Sequence, residues 1–374
     1  MKLAVLTWLI VATSCSEATG ANDEIDEVTP IAIVNVNVVP MDSERIIVSQ
    51  TVLIDQGRIT AIGPQSEIIP PAGAVIVDGK GGYLLPGLID MHVHIRSADL
   101  DKYLRAGVTS VRNMWGYDEL VPIMRDVDSG LLRSPDIFSL TAGFDGSPAQ
   151  WPQTQLSDNP ALIEGMIERQ RQLGFNEIKV YQKLSLAAYD TIVAVARRKG
   201  MTFAGHMPTL VGLAHVLESG QRSIEHLGGY STGAQLTAQA VATANAGTYN
   251  CPTLAILRKL TPSQSEAGRN GIVAALAAAN AKLLVGTDSG IDQTIPGSSI
   301  HDELELMVGA GLTPFRALLG ATRLGAEYLG QSANIGTIAV GKEADLVLVR
   351  ANPLANIRAT RDIRAVIYDG RLLH

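Results

Sequence analysis

Between residues 86 and 330 the chain alternates short apolar runs with longer stretches of helical character. Eight runs have the length and the branched composition of buried β-strands, and in order they read GLIDMHVHI, GVTSVRN, PDIFSLTAG, NEIKVYQ, MTFAGHM, RSIEHL, TYNCPTL and KLLVGTD. This alternation predicts an α/β fold with a parallel sheet, and eight such units are what a closed (β/α)8 TIM barrel requires. An open doubly wound sheet is the competing architecture, but no glycine-rich dinucleotide fingerprint follows the first strand.

The two ends of the chain share a different pattern, that of short β-strands joined by tight turns. Before the first barrel strand there are several runs rich in Ile and Val, and DQGRI at 55–59 is typical of a hairpin turn. Near the other end, residues 369–371 form a second Asp-Gly-Arg turn after another branched run. Because chain termini often lie close together, we expect residues 21–85 and 331–374 to form one small β-sandwich domain beside a barrel of residues 86–330.

Residues 1–20 have the layout of an export signal. Lys2 precedes the apolar run LAVLTWLIVA, which is followed by small residues. The run is too short to span a bilayer as a stable helix. The letters ATSC resemble a bacterial lipobox, which would place a lipid anchor on Cys15, whereas soluble export would involve cleavage near residues 18–20. Both routes predict an exported bacterial protein, either periplasmic or a membrane-anchored lipoprotein.

Composition and charge narrow the class of protein. The 374 residues are 46% hydrophobic with a formal charge of −7, which is ample for a large core. Lysine and arginine are scattered and form no basic stripe, which argues against a nucleic acid as partner. Cys15 and Cys251 are the only cysteines, so we expect no disulfide framework. The oligomeric state stays open, and a homo-oligomer is compatible with these features.

Six side chains able to bind a metal ion fall at or near the C-terminal ends of the strands. They are His92 and His94 on the first strand, Lys179 on the fourth, His206 on the fifth, His226 on the sixth and Asp288 on the eighth. The two histidines of the first strand are two positions apart and therefore point the same way. Barrel enzymes gather their reactive groups at this end of the strands. Such a cluster would be costly in an apolar interior without a cation, and it suits zinc and related first-row ions.

The order of these residues and the motifs around them resemble the amidohydrolase superfamily in its binuclear-metal form. The resemblance extends from about residue 30 to the end of the chain, in the motifs PGLIDMHVH, GVTSVRNMWG, IKVYQ, GHMP, SIEHLGGY, NCPTL, GTDSG and GKEADLVLVRANPL. Within that superfamily the chain is similar to an exported branch related to imidazolonepropionase and to prolidase-like dipeptidases. The resemblance implies a hydrolase of carbon–nitrogen bonds and is much less specific for the substrate.

The resemblance also implies a role for each of the six side chains. The two histidines of the first strand and Asp288 would hold the more buried of two divalent ions, expected to be zinc. His206 and His226 would hold the more exposed ion. Lys179, carboxylated by CO2, would bridge both ions as a carbamate, which explains a lysine in the barrel interior. A hydroxide between the metals would be the nucleophile, and Asp288 would act as general base and pass the proton to the leaving nitrogen.

Three further residues are candidates for contact with the substrate. Tyr181 shares a strand face with the bridging lysine, so its phenol is expected to point toward the metals. Arg112 lies at the end of the second strand, where it would bind an anionic group of the substrate. Tyr230 follows the sixth strand and would line the mouth of the barrel. A packing role is the alternative for both tyrosines. Trp115 and Trp151 lie in the loops after the second and third strands, where they would form apolar walls of a pocket.

The leading hypothesis is a metal-dependent hydrolase of amide or dipeptide bonds in small molecules, similar to a prolidase. The same water and metals would also attack a cyclic amide, a lactone or a phosphotriester. Lys179 disfavours a mononuclear deaminase, and the complete ligand set disfavours a non-catalytic binding or scaffold barrel. Only residues 255–281 separate the seventh and eighth strands. That length leaves room for one helix and predicts a more open site.

Overall fold

The structure is a computed structural model and describes residues 29–260, 265–291 and 294–373. The expected export signal, with Cys15, lies outside these residues and stays a prediction. The strands are β1 (Ile31–Val38), β2 (Ile47–Asp55), β3 (Arg58–Pro64), β4 (Val75–Asp78), β5 (Tyr83–Pro86), β6 (Leu88–Val93), β7 (Val108–Asn113), β8 (Asp136–Asp145), β9 (Gln155–Leu156), β10 (Glu177–Val180), β11 (Thr202–Gly205), β12 (Ser223–Glu225), β13 (Tyr249–Cys251), β14 (Leu346–Val349), β15 (Ile363–Tyr368) and β16 (Arg371–Leu372).

The helices lie mostly between the barrel strands. They are α1 (Leu100–Arg105), α2 (Leu120–Asp128), α3 (Pro160–Gln172), α4 (Leu186–Lys199), α5 (Leu213–Ser219), α6 (Leu236–Ala246), α7 (Leu254–Leu260), α8 (Glu266–Ala278), α9 (Ser299–Gly309), α10 (Pro314–Gly320) and α11 (Arg323–Leu329). In the part of the chain that the structure describes, no helix combines the length and the apolar character needed to cross a membrane.

Seven strands form a parallel sheet in the order β13-β12-β11-β10-β8-β7-β6. Every residue of β6, β7 and β10 is buried, as expected where helices cover one face of a parallel sheet and the barrel interior lies on the other. Capping residues in the sequence mark where the helices begin and end. For α4, the Ser185 side chain accepts a hydrogen bond from the backbone of Ala188, and Gly200 ends the helix in the left-handed conformation.

The segment 282–289 occupies the eighth position of the barrel, although it forms only isolated bridges. Leu283 pairs with Asn250 of β13, and Ser289 pairs with Val93 of β6. The segment therefore joins the first and last strands of the sheet and closes the predicted α/β barrel. The expectation of one helix before this segment is wrong, because both α7 and α8 fit there.

The two chain ends build a second sheet with the order β16-β15-β14-β5-β1-β2-β3, and β4 pairs with β1. Its strands share one apolar core, and all belong to a single hydrogen-bonded sheet, which refines the predicted sandwich. The two glycine turns noted in the sequence meet in space. A Cβ atom on Gly370 would lie 2.4 Å from the Cα atom of Gly57, and both glycines have positive φ.

The contact between these turns predicts a steric cost for any side chain at residue 370. Gly370 has φ +67°. Gly130 has φ +75°, and a Cβ atom there would meet no other atom within 4 Å, so Gly130 is a matched control. We expect Gly130→Ala to lower the free energy of unfolding by about 1 kcal/mol through backbone strain. Gly370→Ala should cost about 3 kcal/mol, because the overlap with Gly57 adds to that strain. Chemical denaturation measures both values, and equal losses would contradict the close approach.

Candidate metal centre

The six predicted ligands meet at one cavity at the C-terminal end of the barrel. The cavity has a volume of about 720 Å³, and the residues lining it include His92, His94, Lys179, His206, His226 and Asp288. Each of them lies within a barrel strand, directly after one, or in the segment that closes the barrel. Their positions are therefore set by strand ends, the most rigid part of the fold that a side chain can use to reach this cavity.

The first half of the cluster joins His92 on β6 and His94, directly after it, to Asp288. Asp288 Oδ1 lies 2.9 Å from His94 Nε2 and 3.4 Å from His92 Nε2. The three side chains offer donor atoms that lie within 4.8 Å of one another, which is close enough to share one ion. Two imidazoles and a carboxylate are a ligand set that zinc accepts.

The second half of the cluster is formed by the histidines that follow β11 and β12. The ring centroids of His206 and His226 are 4.6 Å apart, and the ring of His226 is 4.7 Å from that of His92. His226 Nδ1 forms a hydrogen bond of 2.7 Å with Thr253 Oγ1, which fixes the orientation of the ring. The four imidazoles therefore form one continuous group around the mouth of the barrel.

Three polar atoms in this cluster are buried without a hydrogen-bond partner among the described residues. They are Lys179 Nζ, His206 Nδ1 and Asp288 Oδ1, although the last lies 2.9 Å from His94 Nε2. A buried polar group left unsatisfied costs about 1–3 kcal/mol, so three such groups in one cluster need an explanation. Bound cations, with an anionic form of the lysine, would satisfy all three. The residues present therefore fit a metal site.

Burial sets the protonation of the cluster. It lowers the pKa of His92 and of His206 well below the ordinary value for histidine. It also lowers the pKa of Lys179 to about 8. Burial opposes the ionisation of Asp288, but the neighbouring His92 and His94 outweigh it and hold the pKa of this carboxyl well below its usual range. Neutral imidazoles beside an ionised carboxylate are the forms that bind metal ions.

Two candidate ligands and one residue hydrogen-bonded to a candidate ligand have strained backbones. His226, Thr253 and Asp288 have φ angles of 61°, 51° and 55°, in the left-handed region that non-glycine residues rarely adopt. Each such residue costs on the order of 1–3 kcal/mol, and strain of this kind concentrates at functional sites. Two of the three are predicted ligands, and the third contacts the His226 ring.

Comparison with known proteins decides the family. The sequence model of the amidohydrolase family matches residues 83–373. The chain belongs to the amidohydrolase family. Imidazolonepropionase of Geobacillus sp. (strain WCH70) is 25% identical over 393 aligned residues, which cover 82% of this chain and 85% of that protein. Adenine deaminase of Kosmotoga olearia is 28% identical over 198 residues, which cover 47% of this chain and 31% of the deaminase.

A solved structure supports the architecture of this amidohydrolase over its full described length. A candidate prolidase from Bifidobacterium longum superposes with a TM-score of 0.81 and 26% identity, covering 93% of this chain and 95% of that one. The predicted fold class, with a barrel and a second sheet, is confirmed. As a member of this family the protein is an enzyme, a hydrolase acting on carbon–nitrogen bonds.

The prediction that Arg112 reads a substrate is contradicted by its position in this amidohydrolase. Its side chain is 0% exposed and does not line the cavity. Its guanidinium donates to Glu225 Oε1 at 2.8 Å and to Ser223 Oγ at 3.0 Å. Because a buried guanidinium needs a buried anion, Arg112 is tied to β12 and is not available to the substrate.

Glu225 is the functional residue that sequence reasoning missed. Its Oε2 accepts a hydrogen bond of 2.8 Å from His92 Nδ1, while its Oε1 faces Arg112. The carboxylate therefore fixes the tautomer of His92 and leaves Nε2 directed at Asp288. A carboxylate at the end of a short buried strand, one residue before the predicted ligand His226, was the available signal.

Of the two tyrosines that were predicted to contact the substrate, only one lies at the cavity. Tyr181 lines the cavity, and its ring centroid lies 4.0 Å from that of His206. Tyr230 does not line the cavity. Its hydroxyl donates to Asn250 Oδ1 on β13 at 2.8 Å and also contacts Thr243 Oγ1 on α6, which gives it a structural role between these two elements.

The buried pair of Arg112 and Glu225 predicts a double effect for Glu225→Gln. The change leaves Arg112 without its counter-charge, so the free energy of unfolding should fall by about 3 kcal/mol. Divalent-metal affinity should fall about 10- to 100-fold, because His92 loses the carboxylate that orients it. Denaturation and competition with a chelator measure the two effects. Glu164→Gln is the control, since this exposed carboxylate pairs with Arg198 at the surface and should cost less than about 1 kcal/mol. Unchanged metal affinity in Glu225→Gln would contradict the assignment.

Proposed function

We propose that this amidohydrolase cleaves the amide bond of a dipeptide or an N-acyl amino acid, with two divalent ions at the mouth of the barrel. The observation on which the proposal rests is the buried amine of Lys179, which has no hydrogen-bond partner among the described residues and shares its cavity with four imidazoles and Asp288. A structural lysine would direct its amine to solvent or to a carboxylate. An amine in this place is better explained as the precursor of a metal ligand.

The six side chains divide between two ions. His92, His94 and Asp288 would hold one ion, and His206 and His226 the other, with zinc as the expected metal. Lys179 would bridge them as a carbamate. Its neutral amine would attack the carbon of CO2 and release one proton to solvent, and the single negative charge of the product would be shared by two oxygen ligands. When bound, the ions would lower the pKa of a water molecule and polarise the substrate carbonyl.

The protein's own groups then handle protons and orientation. A carboxylate oxygen of Asp288 would accept the proton of the attacking water and later deliver it to the leaving nitrogen. The Tyr181 hydroxyl accepts a hydrogen bond of 2.6 Å from Trp151 Nε1. Its own hydrogen is therefore directed elsewhere, and a substrate oxygen in the cavity is a suitable acceptor.

Metal analysis of three variants tests this proposal. Wild-type protein should hold about two divalent ions per chain, and protein grown with 13C-bicarbonate should show a carbamate carbon by NMR. Lys179→Ala should lose that carbon signal and at least one ion, whereas Lys183→Ala, which changes an exposed lysine four residues away, should keep both. Asp288→Asn should lower kcat by about 100-fold or more. One ion per chain with no carbamate signal would overturn the binuclear proposal.

Arg96 replaces Arg112 as the residue proposed to bind a substrate carboxylate. It lies two residues after His94 and lines the cavity, whereas Arg112 is buried beneath it. A guanidinium binds a carboxylate through paired charge-assisted hydrogen bonds. A C-terminal carboxylate on the substrate would therefore lie at this side of the mouth.

Substitution of Arg96 should weaken the binding of substrates with a free carboxylate and leave the binding of substrates with an amidated C-terminus unchanged. Arg96→Gln should raise KM for N-acetylalanine about tenfold, because a charge-assisted hydrogen bond is lost. The KM for N-acetylalanine amide should stay within about twofold, since it has no carboxylate. Arg105→Gln is the control, because Arg105 is exposed and pairs with Asp101 outside the cavity. Equal effects on the two substrates would contradict the role.

A cyclic substrate is the second candidate. Imidazolonepropionase of Geobacillus sp. is a relative that matches 82% of the chain, which supports an imidazolone or another cyclic amide as an alternative to an open amide. A panel of N-acyl amino acids, Xaa-Pro dipeptides, a cyclic amide, a lactone and an aryl phosphotriester assigns the reaction class, because metal-loaded protein should turn over members of only one group.

A further inference from the structure

The cavity extends far beyond the space that the ligand cluster needs. Its volume of about 720 Å³ lies within the range of pockets that enclose drug-sized molecules. The chemistry of the remaining walls therefore indicates what the rest of the substrate is made of.

One wall is aromatic, and its polar atoms are already used inside the protein. Trp115 Nε1 donates to Pro152 O at 3.2 Å, and Trp151 Nε1 donates to the Tyr181 hydroxyl at 2.6 Å. The rings of Trp115 and Tyr181 also meet edge to face, with centroids 5.6 Å apart. Because both indole N–H groups are satisfied, the two tryptophans offer the cavity only carbon surface. A Cβ atom at Gly143 would lie 2.2 Å from the Trp115 ring, so a glycine is required there for this wall to form.

A second wall is aliphatic and comes from α7. Ile256, Leu257 and Leu260 line the cavity on this short helix. The helix is fixed at its start by the buried carboxylate of Glu303, which accepts hydrogen bonds of 2.9 and 2.7 Å from the first two backbone N–H groups of the helix. This wall is therefore held in place by a buried side chain of α9.

The two walls face each other across the mouth. Trp151 follows β8, the third strand of the barrel, and α7 follows β13, the seventh. In a barrel of eight positions the third and the seventh are diametrically opposite. A group bound between them would contact indole rings on one side and aliphatic side chains on the other.

Exposure and charge indicate the character of that group. Trp151 is 41% exposed and Leu260 is 53% exposed, although both line the cavity. Large apolar side chains that face water inside a concave site indicate an apolar ligand. Outside the metal cluster, Arg96 is the only charged side chain among the described residues that line the cavity.

We propose that the space between Trp151 and Leu260 is a subsite for a bulky apolar group of the substrate, an aromatic ring or a branched aliphatic chain. The inference rests on the proposed amide hydrolysis and specifies its substrate class. The apolar group would be either the side chain of the amino acid that leaves or the acyl group of the amide, with the carboxylate at Arg96.

Two matched substrate pairs test the subsite. N-acetylalanine against N-acetylphenylalanine varies the leaving side, and N-acetylalanine against N-phenylacetylalanine varies the acyl side. In one of the two pairs the larger substrate should have a kcat/KM about 10- to 100-fold higher, the factor expected from burying one large apolar group. Preference on either side supports the proposal. Preference on neither side overturns it, and if N-acetylalanine itself is turned over, the amide hydrolysis stands.

Two variants test whether the preference for the larger substrate arises between Trp151 and Leu260. Leu260→Asp and Trp151→Ala should each reduce the ratio of the favoured pair about fivefold or more, because a buried charge or a lost ring disfavours only the apolar group. Leu162→Asp is the matched control, since Leu162 is 55% exposed on α3 and does not line the cavity. A ratio that is the same in Leu260→Asp, Trp151→Ala and Leu162→Asp would overturn the location.

Fluorescence gives a readout that does not depend on turnover. Titration of metal-free protein with N-acetylphenylalanine and with N-phenylacetylalanine should, for at least one of them, shift the tryptophan emission to shorter wavelength and saturate, because an apolar ligand displaces water from Trp151. N-acetylalanine should not produce the shift, and Trp151→Phe should remove it. A saturable shift without hydrolysis of any amide would support the subsite and contradict the proposed reaction. No shift with either aromatic compound would overturn the subsite.

Discussion

The rest of the site depends on a buried amine placed among imidazoles at the open end of the barrel. Lys179 Nζ and His206 Nδ1 are unsatisfied among the described residues, and burial lowers the pKa of Lys179 to about 8 and the pKa of His206 well below the ordinary value for histidine. Left alone, such a cluster lowers the free energy of unfolding. Bound cations would reverse that effect, because ions that bind only the folded state stabilise it. The same residues therefore link the stability of the barrel to its chemistry.

A layer of buried polar contacts below the cavity holds the side chains of this cluster in position. Arg112 on β7 pairs with Glu225 on β12, and Glu225 in turn orients His92 on β6. Replacing either member alone leaves the other as an uncompensated charge, so the layer is rigid as well as costly to alter. Three strands that are not all neighbours are thereby locked together under the ligands.

The sequence predicted the barrel and the meeting of the six candidate ligands at one cavity for one physical reason. In a parallel barrel the strand ends converge whatever the loops do, so a histidine at the end of an apolar run must reach the shared mouth. The same reasoning failed for Arg112, because its side chain pairs with Glu225 on a strand that is not adjacent to its own. Pairing between distant strands cannot be recognised from one sequence. The prediction that Tyr230 lines the mouth was wrong because the residue lies in a loop, and the sequence does not determine which way a side chain in a loop points. Arg96 gave no signal at all, since an arginine in a loop is ordinary.

The reaction and the substrate are determined by different parts of the chain. Strand ends supply the candidate ligand cluster, and relatives similar to this chain in sequence are named for different activities. The cavity walls come instead from the loops after β7 and β8 and from α7, where a few side chains change shape and polarity without disturbing the strands. Indole N–H groups turned inward and a helix anchored by Glu303 make those walls apolar and rigid. Rigid apolar walls select by size and hydrophobicity, so under the proposed function substrate choice would follow from contacts that take no part in bond cleavage.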